Sequence, residues 1–288
     1  MSVWRFDAIG TRWEVETENP LRESIRSAVE ALIARFDADW SRFRPDSLVS
    51  RLRDGGAAPA PSDAAAMLDA YRELSQATAG AVSPLVGGSL ESLGYDAALT
   101  LASGAASAAP GEWERMLRWT ASELTLTEPA VIDVGALGKG RLIDLVLAVL
   151  SDAPGRVVVD ASGDLRVQGG AIRVALEHPY DPSLAIGIVD VVDRALCASA
   201  VNRRAWGDGL HHVLDARTGL PVRRWAATWA LADDAMRADA IATALFFDGG
   251  PELAQTWGVD WVRMTTDGRV ERSPGFTGEL FLAAPGAS

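Results

Sequence analysis

Val131-Ile132-Asp133-Val134-Gly135-Ala136-Leu137-Gly138-Lys139-Gly140, running on into an apolar stretch that ends at Leu150, sets the frame for the rest of the chain. Its β-branched opening, Val131 to Val134, predicts a short strand, and the glycines after Asp133 predict a turn. From Lys139 to Leu150 the spacing of Leu142, Leu145, Val146 and Val149 predicts a helix with one face toward a core. Lys139 is the only lysine; every other cation among the 27 Lys and Arg residues is arginine. A compact ammonium is thus kept at a single place, at the entrance of a helix.

Working outward, 288 residues can bury a sizeable core as one large domain or two tightly packed lobes. A net charge of −12 argues against non-specific nucleic-acid binding, which needs a basic footprint. The single cysteine, Cys197, allows no internal disulfide. Met1 to Asp7 carries no apolar signal core, and no segment offers the roughly 18 uninterrupted apolar residues of a membrane span. The chain therefore reads as cytoplasmic, without a membrane segment, although a chain already relieved of its signal would look the same.

Val3 to Glu16 alternates around Ile9-Gly10-Thr11, as two strands with a glycine break. Asn19-Pro20 is a helix entrance, with Asn as the cap and Pro at the first helical position; Ile25, Val29, Leu32, Ile33 and Phe36 share one face of that helix. Ser41 to Ser47 is polar and turn-rich around Phe43, and a loop with Gly55, Gly56, Pro59 and Pro61 precedes a second helix from near Ser62. Ala81 to Gly88 is too rich in glycine for a core element and too apolar for a solvated linker, so it should lie against something. Residues 95–112 form an Ala/Ser/Gly-rich, mobile excursion within a single domain spanning 1–288. Trp113 to Trp119 reads as a short helix. Strands follow at Glu123 to Thr127, Arg156 to Val159, Leu165 to Gln168, Ile172 to Glu177, Leu184 to Val191, Ala195 to Ser199 and Trp225 to Leu231, then a helix from Asp234 to Phe247. Strands gathered in runs, not alternating regularly with helices, favour an α+β fold over a doubly wound parallel sheet.

Three clusters could carry chemistry. The Gly135–Gly140 turn is not a P-loop, because Lys139 is followed by Gly140 and the hydroxyl that would bind magnesium is missing. Helix N-terminal amides and an ammonium would still favour an anion; a strand-to-helix turn using glycine for its geometry, with Lys139 solvated, explains the same residues. Asp239 and Thr243 stand four apart on one face of an otherwise apolar helix. Such a pair needs a partner, which a hard cation such as magnesium would supply; an arginine for Asp239 and a back-bonded Thr243 would also do. His211 and His212 are neighbours, so in a strand they face opposite ways, and one of them could act as a general base. Zinc-ligand spacing and a Gly-x-Ser-x-Gly elbow are both lacking.

Taken in order, these segments resemble the FAD:protein FMN transferase family, also called the ApbE family. Ile9-Gly10-Thr11 is similar to its Met-Gly-Thr, and Ser41-Arg42-Phe43-Arg44-Pro45-Asp46-Ser47 to Ser-Thr-Tyr-Arg-Pro-Asp-Ser. Gly80-Ala81-Val82-Ser83-Pro84 resembles Gly-Ala-Phe-Asp-Pro, and Asp133 to Gly140 resembles Asp-Leu-Ser-Gly-Ile-Ala-Lys-Gly. His212 to Pro221 is similar to His-Ile-Ile-Asp-Pro-Arg-Thr-Gly-Arg-Pro, and Ala238 to Ala244 to Ala-Asp-Ala-Leu-Ala-Thr-Ala. The matches are collinear over nearly the whole chain.

The resemblance implies a T-fold-like α+β domain of two packed lobes, with largely antiparallel or mixed sheets and a flavin cleft between them. It implies magnesium held by Asp239, Thr243 and the Gly138 carbonyl, and FAD near Ile9, Phe43, Ala81, Val82, Ser83, Gly135, Lys139, Arg141 and Val213. FMN would pass to a Thr or Ser of an acceptor protein, leaving AMP, with His212 taking the hydroxyl proton and Asp239 serving catalysis through the metal. Two departures bear on this: the family's aspartate is Ser83 here, and its Thr-Ser-Gly is Ala198-Ser199-Ala200. An FAD pyrophosphatase and a catalytically inactive FAD-binding protein remain as alternatives. Many members are exported lipoproteins, whereas this chain shows no signal or lipobox cysteine.

Overall fold

Ser2–Ala8 and Thr11–Thr17 pair as an antiparallel hairpin whose turn holds Ile9 and Gly10 at positive φ. The structure, a computed structural model, describes residues 1–202, 205–207 and 209–281. The hairpin opens an eight-stranded sheet continued by Val157–Asp160, Leu165–Gln168, Ala195–Ala200, Trp225–Ala232, Asp260–Thr265 and Val270–Arg272. All strand pairings among the described residues are antiparallel. The α+β reading is borne out.

Strand alternation assigns the two faces of this sheet to different layers. Val157, Val159, Ala195, Cys197, Ala230 and Ala232 join the larger core with the helices. Val158, Leu196, Trp229 and Leu231 point the other way, into a smaller core. That second layer includes Leu176, Ile186 and Val189 from a small sheet of Ala171–His178, Asp181–Val192 and Glu279–Leu280. The central strands are buried on both faces, which is why Trp225–Ala232 reads as a nearly continuous apolar run.

On the helical side lie Glu23–Trp40, Ala64–Ala77, Gly138–Val149 (the lysine helix) and Ala235–Ala244 (the aspartate helix). The Ala161–Asp164 stretch makes a hairpin reversal between Val157–Asp160 and Leu165–Gln168.

Four local expectations need correction. Val131 to Val134 is not a strand: Asp133 N–H donates to Pro84 O at 2.8 Å and its carbonyl accepts from Tyr71 Oη at 3.1 Å, so tertiary partners take the groups a ladder would use. The first helix begins at Glu23 behind Arg22, not at Asn19-Pro20; the Asn19 carbonyl accepts from the Thr17 hydroxyl, closing the preceding strand end. Within the loop read around Gly55 and Pro59, Gly56–Pro59 is a strand paired with Glu123–Leu126. Trp113 to Trp119 is helical only to Met116, and Leu117–Trp119 then pairs with that same strand.

Candidate functional site

The turn that opens the lysine helix is held from several sides. Asp133 Oδ1 accepts from Gly135 N at 2.7 Å, and Oδ2 from Arg42 Nε at 2.6 Å. The Tyr71 hydroxyl also accepts from Ala136 N at 3.2 Å, and burial pushes its pKa well above the ordinary phenol value. Arg42 has only 3 % of its side chain exposed. It donates to Tyr95 O at 2.8 Å and lies 4.2 Å from the Phe43 ring centroid, so the Ser41–Ser47 segment is clamped to the turn. Tyr95 in turn packs edge-on to Phe43 and stacks with Trp206.

The aspartate helix meets this turn directly. Asp239, 6 % exposed, accepts from Gly140 N through Oδ2 at 2.9 Å, across 99 positions of sequence. Thr243 Oγ1 donates to Ala136 O at 3.3 Å, which brings its hydroxyl to the same turn from one helical turn further on. The approach depends on Gly140: a Cβ there would collide with the Ala235 carbonyl oxygen. Gly138 begins the lysine helix and is buried, its amide bonded to Val134 O at 2.8 Å.

Lys139 is paired and not left free in solvent. Its Nζ pairs with Asp164 Oδ2 at 2.8 Å and donates to Ala161 O at 3.3 Å. Asp164 is 1 % exposed, and its Oδ1 accepts from Ala198 N at 2.8 Å. The ammonium thus joins the lysine helix to the Ala161–Asp164 turn and to the Ala195–Ala200 strand. Ser162 in that turn donates to Arg12 O, and an open depression of about 660 Å³ lies there, lined by Ile9, Gly10, Thr11 and Ser162 among others.

Ala81, Val82 and Ser83 are all buried, as expected of a stretch lying against something. Ala81 O accepts from Ala216 N at 2.9 Å, which ties this segment to the histidine stretch, and Pro84 O holds Asp133. Ser83 Oγ accepts from Leu85 N at 3.2 Å, so it closes its own turn. Val213 is buried and pairs with Val222 through its carbonyl. Arg141 is half-buried on the lysine helix, two residues beyond Lys139.

Of the two histidines, His211 is the more buried and His212 is half-buried. His211 Nε2 lies 2.9 Å from Val222 O, its Nδ1 accepts from Val213 N, and burial lowers its pKa, favouring a neutral ring. The 95–112 excursion is anchored here, with Ala109 N donating to Ala216 O at 2.8 Å.

Sequence reasoning did not single out Arg42, Tyr71 or Asp164 as parts of the site. Arg42 and Asp164 were each a charged residue within a turn-rich run, and nothing local marks such a residue as buried. Among the described residues no group of three or more His, Cys, Asp and Glu side chains is gathered to hold a metal. At the turn itself Asp239 and Thr243 meet the backbone of Gly140 and Ala136, beside the Asp133 carboxylate. Among the described residues no helix is long and apolar enough to cross a membrane.

Comparison with known proteins agrees with this architecture. The ApbE family model matches residues 9–261. A curated relative, the FAD:protein FMN transferase of Rhodobacter capsulatus, is 30 % identical across 93 % of this chain. The match covers 56 % of that relative, so the chain spans about half the relative's length. Among solved structures, the ApbE protein of Thermotoga maritima superposes with a TM-score of 0.80 at 22 % identity, over 95 % of this chain and 97 % of that one. The Pseudomonas stutzeri flavinyl transferase ApbE gives 0.78 at 22 % identity, over 95 % and 94 %. At such identities these likenesses speak for the fold.

Proposed function

The chain belongs to the ApbE family, and from that premise we propose that it is an FAD:protein FMN transferase. It would move FMN from FAD to a Thr or Ser hydroxyl of an acceptor protein. In balanced form, the acceptor oxygen bonds to the FMN phosphorus and the P–O–P bridge of FAD breaks. AMP leaves with the bridging oxygen, and the hydroxyl proton passes to a base.

The observation that carries the proposal is the junction itself: Asp239 and Thr243 reach the Ala136–Gly140 turn from a separate helix, at 2.9 and 3.3 Å. A carboxylate, a hydroxyl and the Gly138 carbonyl are all hard oxygen donors, a set that suits magnesium and not a thiolate-seeking metal. When bound there, magnesium would offset charge on the pyrophosphate as the bridge breaks. The chain's own residues would do the rest. Amides at the N-terminus of the lysine helix favour the phosphates. Ile9, Phe43, Ala81, Val82, Ser83, Gly135, Arg141 and Val213 would border the nucleotide. Lys139, already joined to Asp164, would add its charge. His212 would accept the acceptor's proton, while His211 is occupied with the backbone of Val213 and Val222.

Incubating the protein with FAD, magnesium and an FMN-accepting domain tests the reading. One FMN added to the acceptor by mass is the expected result. FMN and AMP in solution with the acceptor unlabelled would replace it with a pyrophosphatase, and FAD returned intact from the protein would replace it with a binding protein.

A further inference from the structure

The lysine helix carries one carboxylate inside its apolar run, Leu142-Ile143-Asp144-Leu145-Val146. Asp144 has 9 % of its side chain exposed, and both its oxygens point at the first turn of the aspartate helix. Oδ1 accepts from Ala235 N at 2.8 Å and Oδ2 from Met236 N at 3.0 Å. Arg166, from the central sheet, pairs with Oδ1 at 2.6 Å. The next amide, Arg237 N, is taken by the Asp234 side chain at 2.8 Å. Three amides that a helix leaves without internal partners are thus met by carboxylates, two of them by a residue of another helix.

Asp144 is four residues after Gly140, so the two lie on one face of the lysine helix. That face touches the aspartate helix twice: Gly140 N bonds Asp239, and Asp144 bonds Ala235 and Met236. Ala235 and Asp239 are themselves four apart. Two contacts one turn apart on both helices fix the translation and the rotation of one against the other; a single contact would leave a pivot.

We infer that Asp144 is a positioning residue: by holding the first turn of the aspartate helix, it sets where Asp239 and Thr243 stand against the Gly138–Gly140 turn. This rests on the proposed function only for its catalytic consequence, since the positioning itself is a property of the fold. Burial raises the Asp144 pKa, and the Ala235 and Met236 amides, then Arg166, oppose it.

The test is amide hydrogen exchange, read by NMR on the full chain for wild type and Asp144→Asn. Asparagine keeps the shape, but its NH2 group would face a backbone N–H. We expect exchange at Gly140 about tenfold or more faster, with amides of Trp225–Ala232 unchanged. Unchanged exchange at Gly140 overturns the inference, and so does a uniform acceleration across the sheet, which would make Asp144 a general stabiliser. If Asp144→Asn does not fold, Arg166→Met takes its place with an expected effect of about threefold at Gly140 and the same overturning results. In the FMN-transfer assay the half-saturating magnesium concentration of Asp144→Asn should rise about tenfold, with the KM for FAD changed less than about threefold. A wild type that transfers no FMN, with the Gly140 result intact, would sink the functional reading and leave the positioning role standing.

Discussion

The Asp133–Gly140 junction and the His211–Pro221 segment both bond to the backbone of Ala81–Pro84, yet they are built differently. At the junction, buried charges have matched partners: Arg42 with Asp133, Lys139 with Asp164, Asp144 with Arg166. The histidine segment has two-residue strands at Leu210–His211, Leu214–Asp215 and Leu220–Pro221, and in its ion pair, Asp215 with Arg217, the arginine side chain is 49 % exposed. Paired charges are concentrated where the proposed pyrophosphate chemistry would need them fixed. The segment an acceptor protein would have to approach is held instead by short strands and backbone bonds, with His211, Val213, Leu214 and Ala216 buried beneath it.

The sharpest way to break this contrast is Arg42→Met. It leaves Asp133 without its guanidinium in a mostly buried place, and stability should fall by about 3–5 kcal/mol by denaturant unfolding. A loss under about 1 kcal/mol would mean the junction is no more rigid than the rim. Gly140→Ala comes next. Its methyl would meet the Ala235 carbonyl, so overpacking should cost about 1–3 kcal/mol and suppress FMN transfer more strongly than stability, because the two helices must separate to admit it. Transfer at the wild-type rate would show that the close helix approach is not needed.

At the rim the effects should be smaller and depend on pH. His211 has a folded pKa lowered from 6.5, so the unfolded chain takes up a proton first as pH falls. Stability from this group is full above pH 6.5 and declines as pH drops through the folded value. His211→Gln should flatten that part of a thermal-unfolding profile; an identical slope in the variant would assign it elsewhere. Least of all, Arg217→Ala should change stability by about 0–1 kcal/mol, since the arginine it removes is half-exposed. A larger loss would show that the segment is more firmly built than its exposure suggests.

How much of this was legible in the sequence differs between the same two regions. The pairing of Asp239 with Thr243 could be read from helical spacing, because two oxygens in an alanine-rich helix are conspicuous. Asp144 had the same signature, a carboxylate in an apolar helix, but local spacing named no partner for it: Ala235 and Met236 lie more than ninety positions away. For the histidines, spacing could say only that neighbours face opposite ways. That His211 is the one committed to the backbone follows from the fold around Val222.

The sequence by itself determined the α+β class, most of the strands, the family resemblance and the residue types available for chemistry, since these rest on periodicity and on short collinear motifs. Tertiary structure decided that Val131 to Val134 is no strand, that Lys139 is paired and not left free in solvent, and that Gly140 admits a second helix. Each of those depends on groups far apart in the chain competing for the same backbone atoms or the same charge. Local pattern carries no information about which distant competitor wins.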